Sequence, residues 1–345
     1  MRDIFNAIIV MLVLAATIWA ATSMATAQQG LDYEPARTAS GAPDLQGTWT
    51  NATVTSLERP DQINKLVLYE WEAELWEAQF AKFFGDNDPS DPNEGAPPAG
   101  EDVGGYNTFW MDPGTRLMRV NGQIRSSIIV DPPSGKVPYH ARYRRELTAA
   151  IGRVGTAFDG PEQRPLGERC IVGFGSTGGP PMLPVLYNNH YRFVQTESHV
   201  MILVEMNHDV RIVRMNGIHR GGNIKPWLGD SIGHWDGDTL VVETTNFHPG
   251  QSFRAAIRHQ IVMSDNTVVT ERFTRIAADQ MRYQFTVEDP EVYTQAWRGE
   301  MTLRAAPGQI YEYACHEGNY SLPGILAGAR ADEQTAAVNA GGGKE

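Results

Sequence analysis

The feature that most constrains this fold is a series of short β-type segments separated by tight turns. Residues 191–196 and 200–206 are rich in aromatic and β-branched side chains and flank a short polar turn. Residues 267–276 and 280–288 form a second such pair across a three-residue turn. Antiparallel hairpins repeated at this spacing are typical of a barrel or sandwich and not of a parallel α/β fold. We therefore predict a mainly β protein, an antiparallel β-barrel or sandwich.

Further turn signals extend this pattern. Asn216-Gly217 follows the β-type residues 210–215, and this dipeptide is a strong hairpin signal. Gly237 lies in a second turn, between Trp235 and Thr239, and residues 301–305 and 310–314 are predicted to form another hairpin. Residues 125–130 read as one strand that ends at a Pro/Gly turn. Alternation predicts that one face of the 267–276 strand carries Val269, Glu271, Phe273 and Arg275.

Two helices and one long loop complete the prediction. Residues 66–84 are rich in Glu and Ala and are followed by Gly85, which favours an N-terminal helix. Residues 140–151 are predicted to form a short second helix. Residues 85–105 form an acidic, Pro/Gly-rich loop, and loops of this length are uncommon unless they are functional or disordered. Both a lid and a plain solvated loop fit that segment.

The two ends of the chain are predicted to lie outside the folded domain. Arg2 precedes an apolar run over residues 7–21, and Ala25-Thr26-Ala27 follows that run. The run has about 15 residues, fewer than the roughly 20 of a membrane span, which favours a cleaved secretory signal peptide over an uncleaved anchor. We predict a signal peptide (1–27), a tether (28–44), a single β-rich domain (45–330), a flexible tail (331–345) and a periplasmic or secreted location.

Charge and motif content exclude several classes of partner. The 41 acidic residues outnumber the 29 basic ones, and the resulting net charge of −12 repels nucleic-acid phosphate. No other run is apolar enough to span a bilayer, so no membrane partner is expected after signal cleavage. The chain has no GxxxxGK[ST] sequence, and export separates it from cytoplasmic ATP and NAD(P)H. We predict a small-molecule substrate and no cofactor, and leave the oligomeric state open.

The mature chain has two cysteines, Cys170 and Cys315. In an oxidising compartment an even pair favours a disulfide, and the alternative is that one of them acts as a nucleophile. The bridge would bring residues 166–170 beside residues 315–320, which are distant in sequence.

Two segments carry a resemblance to known proteins. Residues 234–247 (HWDGDTLVVETTNF) contain a Trp-x-Gly-Asp-Thr-Leu-Val-Val hairpin, and residues 311–322 (YEYACHEGNYSL) contain Ala-Cys-His-Glu-Gly-Asn-Tyr. With others along most of the mature chain, they resemble a family of exported bacterial proteins of largely unassigned function. Gly47-x-Trp49 is also similar to the opening strand of lipocalin-like barrels. That second likeness implies an antiparallel barrel with an apolar ligand cavity.

Two His-acid pairs are the predicted catalytic residues. His208-Asp209 lies between two β-type segments, and His316-Glu317 follows Cys315. A histidine with a nearby carboxylate can act as a general base, because the acid raises the pKa of the imidazole. The alternative in each case is an ordinary polar turn or loop.

Further polar and aromatic residues are predicted to bind the substrate. Arginines near these pairs would hold a phenolate, enolate or carboxylate, and the aromatic and amide side chains would line a pocket for a polar aromatic ligand. The predicted substrate-binding residues are Arg169, Arg211, Tyr187, Asn189, His190, Asn319, Tyr320 and Trp227.

The sequence favours neither metal nor serine chemistry. The nine histidines form no HExxH or His-x-His pair, and only His208 and His219 could face each other across the predicted turn. Gly175-Ser176-Thr177-Gly178 lacks the strand–turn–helix setting of a nucleophilic serine. We predict no metal site.

The sequence therefore favours an exported, cofactor-independent enzyme that uses acid/base chemistry on a small apolar or aromatic molecule, for which a plant-derived phenolic compound is a candidate. A lyase is favoured over a hydrolase or isomerase because no serine is placed in the strand–turn–helix setting of a hydrolase nucleophile. The main alternative is a non-catalytic, lipocalin-like binding protein for an apolar ligand. A structural envelope protein is a further alternative, which predicts a large exposed apolar patch.

Overall fold

A computed structural model of the chain describes residues 33–86, 111–153, 157–256, 258–317 and 319–341. The predicted signal peptide and all but the first two residues of the predicted 85–105 loop lie outside the described residues. Residues 33–44, assigned above to a tether, contact the rest of the protein, since Arg37 pairs with Asp238 at 2.7 Å.

The described residues are dominated by strands. The strands are β1 (Gly47–Thr50), β2 (Val67–Leu68), β3 (Arg119–Val120), β4 (Gln123–Arg125), β5 (Ile129–Asp131), β6 (His190–Gln195), β7 (His199–Val204), β8 (Val210–Met215), β9 (Asp230–Asp236), β10 (Thr239–Thr245), β11 (Phe253–Ala256), β12 (His259–Val262), β13 (Val268–Ala277), β14 (Gln280–Glu288) and β15 (Trp297–Ala305). The helices are α1 (Glu70–Asp86), α2 (Ala141–Arg153) and α3 (Ser321–Gly341).

Nine of these strands close into a barrel, in the order β1-β6-β7-β8-β9-β10-β13-β14-β15. The ring closes because β15 pairs antiparallel with β1, with Trp49 opposite Ala305. Strand β5 pairs with the other end of β15, and β2, β4 and β3 form a small separate sheet. The prediction of a mainly β barrel is confirmed.

One pair of neighbouring strands in the ring is parallel, namely β8 and β9. Asn216 has a left-handed backbone (φ 52) and turns the chain at the end of β8, but it does not close a hairpin. Residues 216–229 instead return the chain to the end of the barrel where β8 began, as a parallel pair requires. The hairpin predicted at Asn216-Gly217 is therefore wrong.

Large aromatic side chains fill the barrel interior. Trp49, Phe193, Phe273 and Trp297 are all at most 1% exposed. The ring of Phe273 lies 5.4 Å from that of Phe193, at the edge-to-face angle that aromatic pairs favour. The apolar ligand cavity that the lipocalin-like resemblance implies is thus a space packed with side chains.

The predicted alternation along β13 is confirmed. Val269, Glu271 and Phe273 are fully buried and face the interior, and their neighbours are partly exposed. Arg275 is half-buried at the end of the strand, with its guanidinium over the ring of Trp49 at 5.4 Å. A carboxylate therefore lies among the aromatic side chains of the interior.

Two predicted elements end or begin elsewhere in the structure. Helix α1 begins at Glu70 rather than residue 66, because residues 67 and 68 pair with β4. Its first turn is capped by Glu72, whose carboxylate accepts a hydrogen bond from the Tyr69 backbone N–H at 2.8 Å. The strand predicted over residues 125–130 is two strands, β4 and β5, which belong to different sheets.

The C-terminal region departs most from the prediction. Residues 310–314 do not form the second arm of a hairpin, because β15 is already paired with β14 on one edge and with β1 and β5 on the other. Residues 331–341, assigned above to a flexible tail, continue α3, in keeping with their alanine content. No helix in the described ranges is long and apolar enough to cross a membrane.

Candidate functional site

A disulfide joins Cys170 to Cys315, as predicted, with their Cα atoms 5.7 Å apart. The bridge brings the two distant segments together, and Asn319 donates a hydrogen bond to the carbonyl of Glu168 at 3.0 Å. The amide of Asn319, a predicted substrate-binding group, therefore holds these segments against each other. The segment after Cys170 continues into one wall of a cleft.

The cleft has a volume of about 370 Å³ and lies over the parallel pair β8–β9. It is lined by residues 171–172, 209–212, 214, 220 and 226–231. Three predicted site residues meet here, Asp209, Arg211 and Trp227. One wall of the cleft comes from residues 216–229, which connect β8 to β9. The sequence predicts only a tight turn at the start of this segment.

Asp209 lies at the mouth of the barrel immediately before β8. Its Oδ2 accepts a hydrogen bond from the Gly173 backbone N–H at 2.8 Å. Burial raises the pKa of the Asp209 carboxyl to about 6, although hydrogen bonds from Gly173 and Asn207 oppose this change. A carboxyl that titrates near neutral pH can both accept and release a proton.

The turn that carries Asp209 has an unusual backbone. Asn207 and His208 are consecutive non-glycine residues with left-handed φ values of 58° and 52°. Such conformations cost about 1–3 kcal/mol each and persist only where surrounding contacts hold them. One such contact is made by His208, whose Nε2 accepts a hydrogen bond from the Tyr313 backbone N–H at 2.9 Å. That acceptor role places the proton of a neutral His208 on Nδ1.

A cluster of charged side chains surrounds Asp230, which also lines the cleft. Arg214 donates two hydrogen bonds to the Asp230 carboxylate, at 2.6 and 3.1 Å. His219 lies between Asp230 and Glu243, with one ring nitrogen 3.1 Å from each carboxylate. Burial alone would raise the pKa of Asp230, but hydrogen bonds from Arg214, the Arg220 backbone and His219 hold it well below its usual range. Asp230 is therefore anionic at neutral pH.

Trp227 provides an aromatic surface in the cleft. Its ring lies 3.8 Å from the ring of His248, which fixes the indole from one side. Leu228 and Ile171 add apolar contact area beside it. The cleft therefore combines an aromatic and apolar wall with a charged one.

Arg211 has a different role from the one predicted. Its guanidinium lies inside the barrel, 1% exposed, and pairs with both carboxylate oxygens of Glu271. Tyr283 donates a further hydrogen bond to Glu271 at 2.8 Å. The guanidinium of Arg211 is thus already neutralised by a partner inside the protein.

His190 and Glu205 form a further His-acid pair, which the sequence does not predict. His190 Nδ1 lies 2.7 Å from Glu205 Oε2, and this hydrogen bond raises the pKa of His190 against the effect of burial. The pair follows from the register of β6 and β7, in which Tyr191 lies opposite Val204. Only the strand pairing brings these two residues together, so neither spacing nor a motif signals it.

The other predicted site residues lie away from the cleft. His316, Glu317 and Tyr320 are exposed, and Arg169 donates to the Glu162 carbonyl at 3.4 Å rather than pairing with Glu317. Asn189 is fully buried and braces the backbone at Val185 through two hydrogen bonds. Tyr187 is half-buried beside Tyr313. None of these side chains lines the cleft.

Within the part of the chain that the structure describes, no group of three or more His, Cys, Asp and Glu side chains is arranged to hold a metal ion. The chain matches no protein-family model, no curated protein and no solved structure. The case for a function therefore depends on the chemistry of the cleft.

Proposed function

We propose that the protein is an exported enzyme that moves a proton on a small apolar or aromatic molecule bound in the cleft, with Asp209 as the general base. The observation that carries this proposal is a partly buried carboxyl with a pKa of about 6 at the wall of a cleft. Carboxyls of this kind are characteristic of acid/base sites, because their ordinary pKa would leave them too weakly basic.

The size and walls of the cleft support a small substrate. Its volume of about 370 Å³ falls at the lower end of the range of roughly 300–1,000 Å³ for small-molecule sites. Trp227 and Leu228 supply apolar contact area for a ring, and Asp209 faces the same space. The packed interior of the barrel weighs against the alternative of a carrier with its ligand inside the barrel.

Within acid/base enzymes, the proposal favours a lyase. In a lyase reaction of this kind, Asp209 would take a proton from a carbon of the substrate while a leaving group departs from the neighbouring carbon, so that a double bond forms. This chemistry needs a base and no activated serine. The Gly-x-Ser-x-Gly sequence at residues 229–233 enters strand β9 rather than a strand–turn–helix elbow, and its Ser231 is buried with the hydroxyl 2.8 Å from that of Thr244. A hydrolase or isomerase would use the same base with a different substrate.

The test is turnover of candidate aromatic substrates by purified protein. The substrates would be hydroxylated phenylpropanoid and benzenoid compounds that carry a leaving group on the carbon next to an acidic C–H. Each would be incubated with the protein, and products would be followed by absorbance and mass spectrometry. We expect Asp209→Asn to abolish turnover and the exposed Asp279→Asn, at the β13–β14 turn, to leave it unchanged. Unchanged turnover in Asp209→Asn would remove the proposed base, and binding without turnover in the native protein would favour a carrier.

Export is also part of the proposal. It is supported by the disulfide and by the predicted signal peptide. Expression of the full chain in a Gram-negative host, followed by mass measurement of the periplasmic protein, should give a chain that begins at Gln28. Recovery of the full-length chain in the membrane fraction would contradict cleavage.

A further inference from the structure

The arginines at the cleft differ in how many hydrogen bonds and ion pairs their guanidinium groups already make within the protein. Arg211 is paired with Glu271 inside the barrel. Arg214 uses its guanidinium on both oxygens of Asp230 and on the carbonyl of Ile218, at 2.7 Å. Both side chains thus direct their terminal guanidinium nitrogens at partners within the protein.

Arg220 is different, because its side chain is 52% exposed and its nearest carboxylate oxygen, Asp230 Oδ1, is 3.7 Å away. That separation is an ion pair without a hydrogen bond. Asp230 already accepts hydrogen bonds from Arg214, from His219 and from the Arg220 backbone N–H at 2.8 Å. The guanidinium of Arg220 therefore faces the cleft without a carboxylate of its own among the described residues.

The backbone of Arg220 is nevertheless held in place on both sides. Its N–H donates to Asp230, and its carbonyl accepts a hydrogen bond from Asn246 at 3.1 Å. A side chain that starts from a fixed backbone loses less conformational freedom when it binds a ligand. The backbone that carries the Arg220 cation is thus fixed at the wall of the cleft, where Asp209 and Trp227 also lie.

The local charge balance indicates what Arg220 would bind. Arg214 and Arg220 carry two positive charges beside Asp230, and Asp230 and the ionised Asp209 supply two negative charges to the same cleft. A dianionic phosphate would add two further negative charges beside these two carboxylates, whereas a monoanion adds only one. A carboxylate also matches the fork of guanidinium donors.

We infer that Arg220 is the anion-binding residue of the cleft and that its ligands are small aromatic carboxylates, with the carboxylate on Arg220 and the ring beside Trp227. This inference deepens the proposed function, on which it rests for the position of the substrate. It assigns to Arg220 the role that the sequence suggested for Arg169 or Arg211.

The test compares the binding of 4-hydroxybenzoate with that of uncharged 4-hydroxybenzamide by titration calorimetry and ligand-observed NMR. We expect the native protein to bind the carboxylate about tenfold or more tightly than the amide, which corresponds to about 1.4 kcal/mol or more. Arg220→Gln should remove this preference, and Arg220→Lys should retain part of it. Arg142→Gln, an exposed arginine on α2 that does not line the cleft, is the matched control.

Equal binding of the two probes by native protein would overturn the inference, as would no saturable binding of 4-hydroxybenzoate or a preference that survives in Arg220→Gln. Circular dichroism and the unfolding midpoint establish that each variant is folded. Asp209→Asn separates this inference from the proposed function, because it should still prefer the carboxylate. If Asp209→Asn kept full turnover, the proposed base would fail while the carboxylate preference of Arg220 would stand.

Discussion

Arg211 and Glu271 form a two-point ion pair inside the barrel, where their side chains are 1% and 0% exposed. Burial of the two charges costs desolvation free energy, and their mutual attraction offsets that cost only while both charges are present. Single and double substitutions of this pair should therefore have different effects on the free energy of unfolding.

We predict that Arg211→Met or Glu271→Leu alone lowers the free energy of unfolding by about 3–5 kcal/mol, because each leaves one buried charge without a partner. The double variant should lose less than either single variant. Urea unfolding measures all three. Arg272→Met, which breaks the exposed pair with Asp236, is the control and should cost less than about 1 kcal/mol. A double variant at the sum of the single losses would contradict the interpretation.

The disulfide predicts an absence of reactive thiol in the native, unreduced protein. Thiol titration in denaturant should detect none before reduction and both cysteines after it. Because Cys170 and Cys315 are 145 residues apart, the chain-entropy account gives the bridge up to about 4–5 kcal/mol. The variant with both cysteines changed to serine should unfold at a correspondingly lower urea concentration. Free thiol in unreduced native protein would contradict the bridge.

Asp209 should make the protein less stable at neutral pH than a neutral side chain would. Its folded pKa is about 6, above the unfolded value of about 3.9, so the native state binds more protons between those values. Stability attributable to this residue therefore falls as the pH rises from about 4 to about 6.

We accordingly expect Asp209→Asn to be more stable than the native protein above pH 6, by about 1–2 kcal/mol after allowance for partial solvent screening, and the difference to vanish below about pH 4. Urea unfolding at several pH values measures it, with Asp279→Asn as the exposed control. If Asp209→Asn lost stability at pH 7.5, the carboxylate would be a structural group rather than a strained functional one.

The His190–Glu205 pair predicts a pH dependence of the same sign as that of Asp209, in a higher pH range. The pKa of His190 is raised by its hydrogen bond to Glu205. The stability that this shift contributes is fully present below the unfolded pKa of about 6.5 and is lost as the pH rises through the raised value.

We expect the His190 resonance in an NMR titration to have its midpoint above that of a free histidine, and Glu205→Gln to bring the midpoint down. The stability lost in Glu205→Gln should be larger at pH 5.5 than at pH 8.5. Glu197→Gln, an exposed acid in the β6–β7 turn, should leave the His190 midpoint in place. An unchanged midpoint in Glu205→Gln would show that Glu205 does not hold the proton on His190.

The strands that the sequence predicted correctly are those specified by local patterns. The β13–β14 hairpin was predicted within one residue at each end, because alternation along Val268–Ala277 and its turn lie within one continuous segment. The cysteine pairing was also predictable, since a pair of cysteines allows one internal bridge. These features need no knowledge of distant contacts.

The failures all concern partners that are distant in sequence. Asn216 turns the chain whether the next strand returns at once or after a crossing segment, so the local signal could not distinguish the two. Residues 310–314 have strand-like composition, but no edge of β15 is available to them. Composition does not report which edges are already paired.

The candidate site was predicted in part for the same reason. Asp209 and Trp227 were chosen by residue type and do line the cleft. The sequence did not predict Arg220 or Asp230 as site residues. Their place in the site depends on which groups hydrogen-bond to the Asp230 carboxylate, and residue type does not show this. The pairing of His190 with Glu205 required the register of two strands.

The parallel pair β8–β9 follows from simple parity. A closed ring in which every neighbour is antiparallel needs an even number of strands, since direction must alternate all the way round. This ring has nine strands, with eight antiparallel contacts and one parallel contact. Because the number of strands is odd, the chain must cross the outside of the barrel once to reach a parallel neighbour. The crossing segment, residues 216–229, carries Arg220 and Trp227. A strand gained between β8 and β9, or the loss of either of them, would let the ring alternate throughout, and the chain would no longer need the segment that forms the cleft wall.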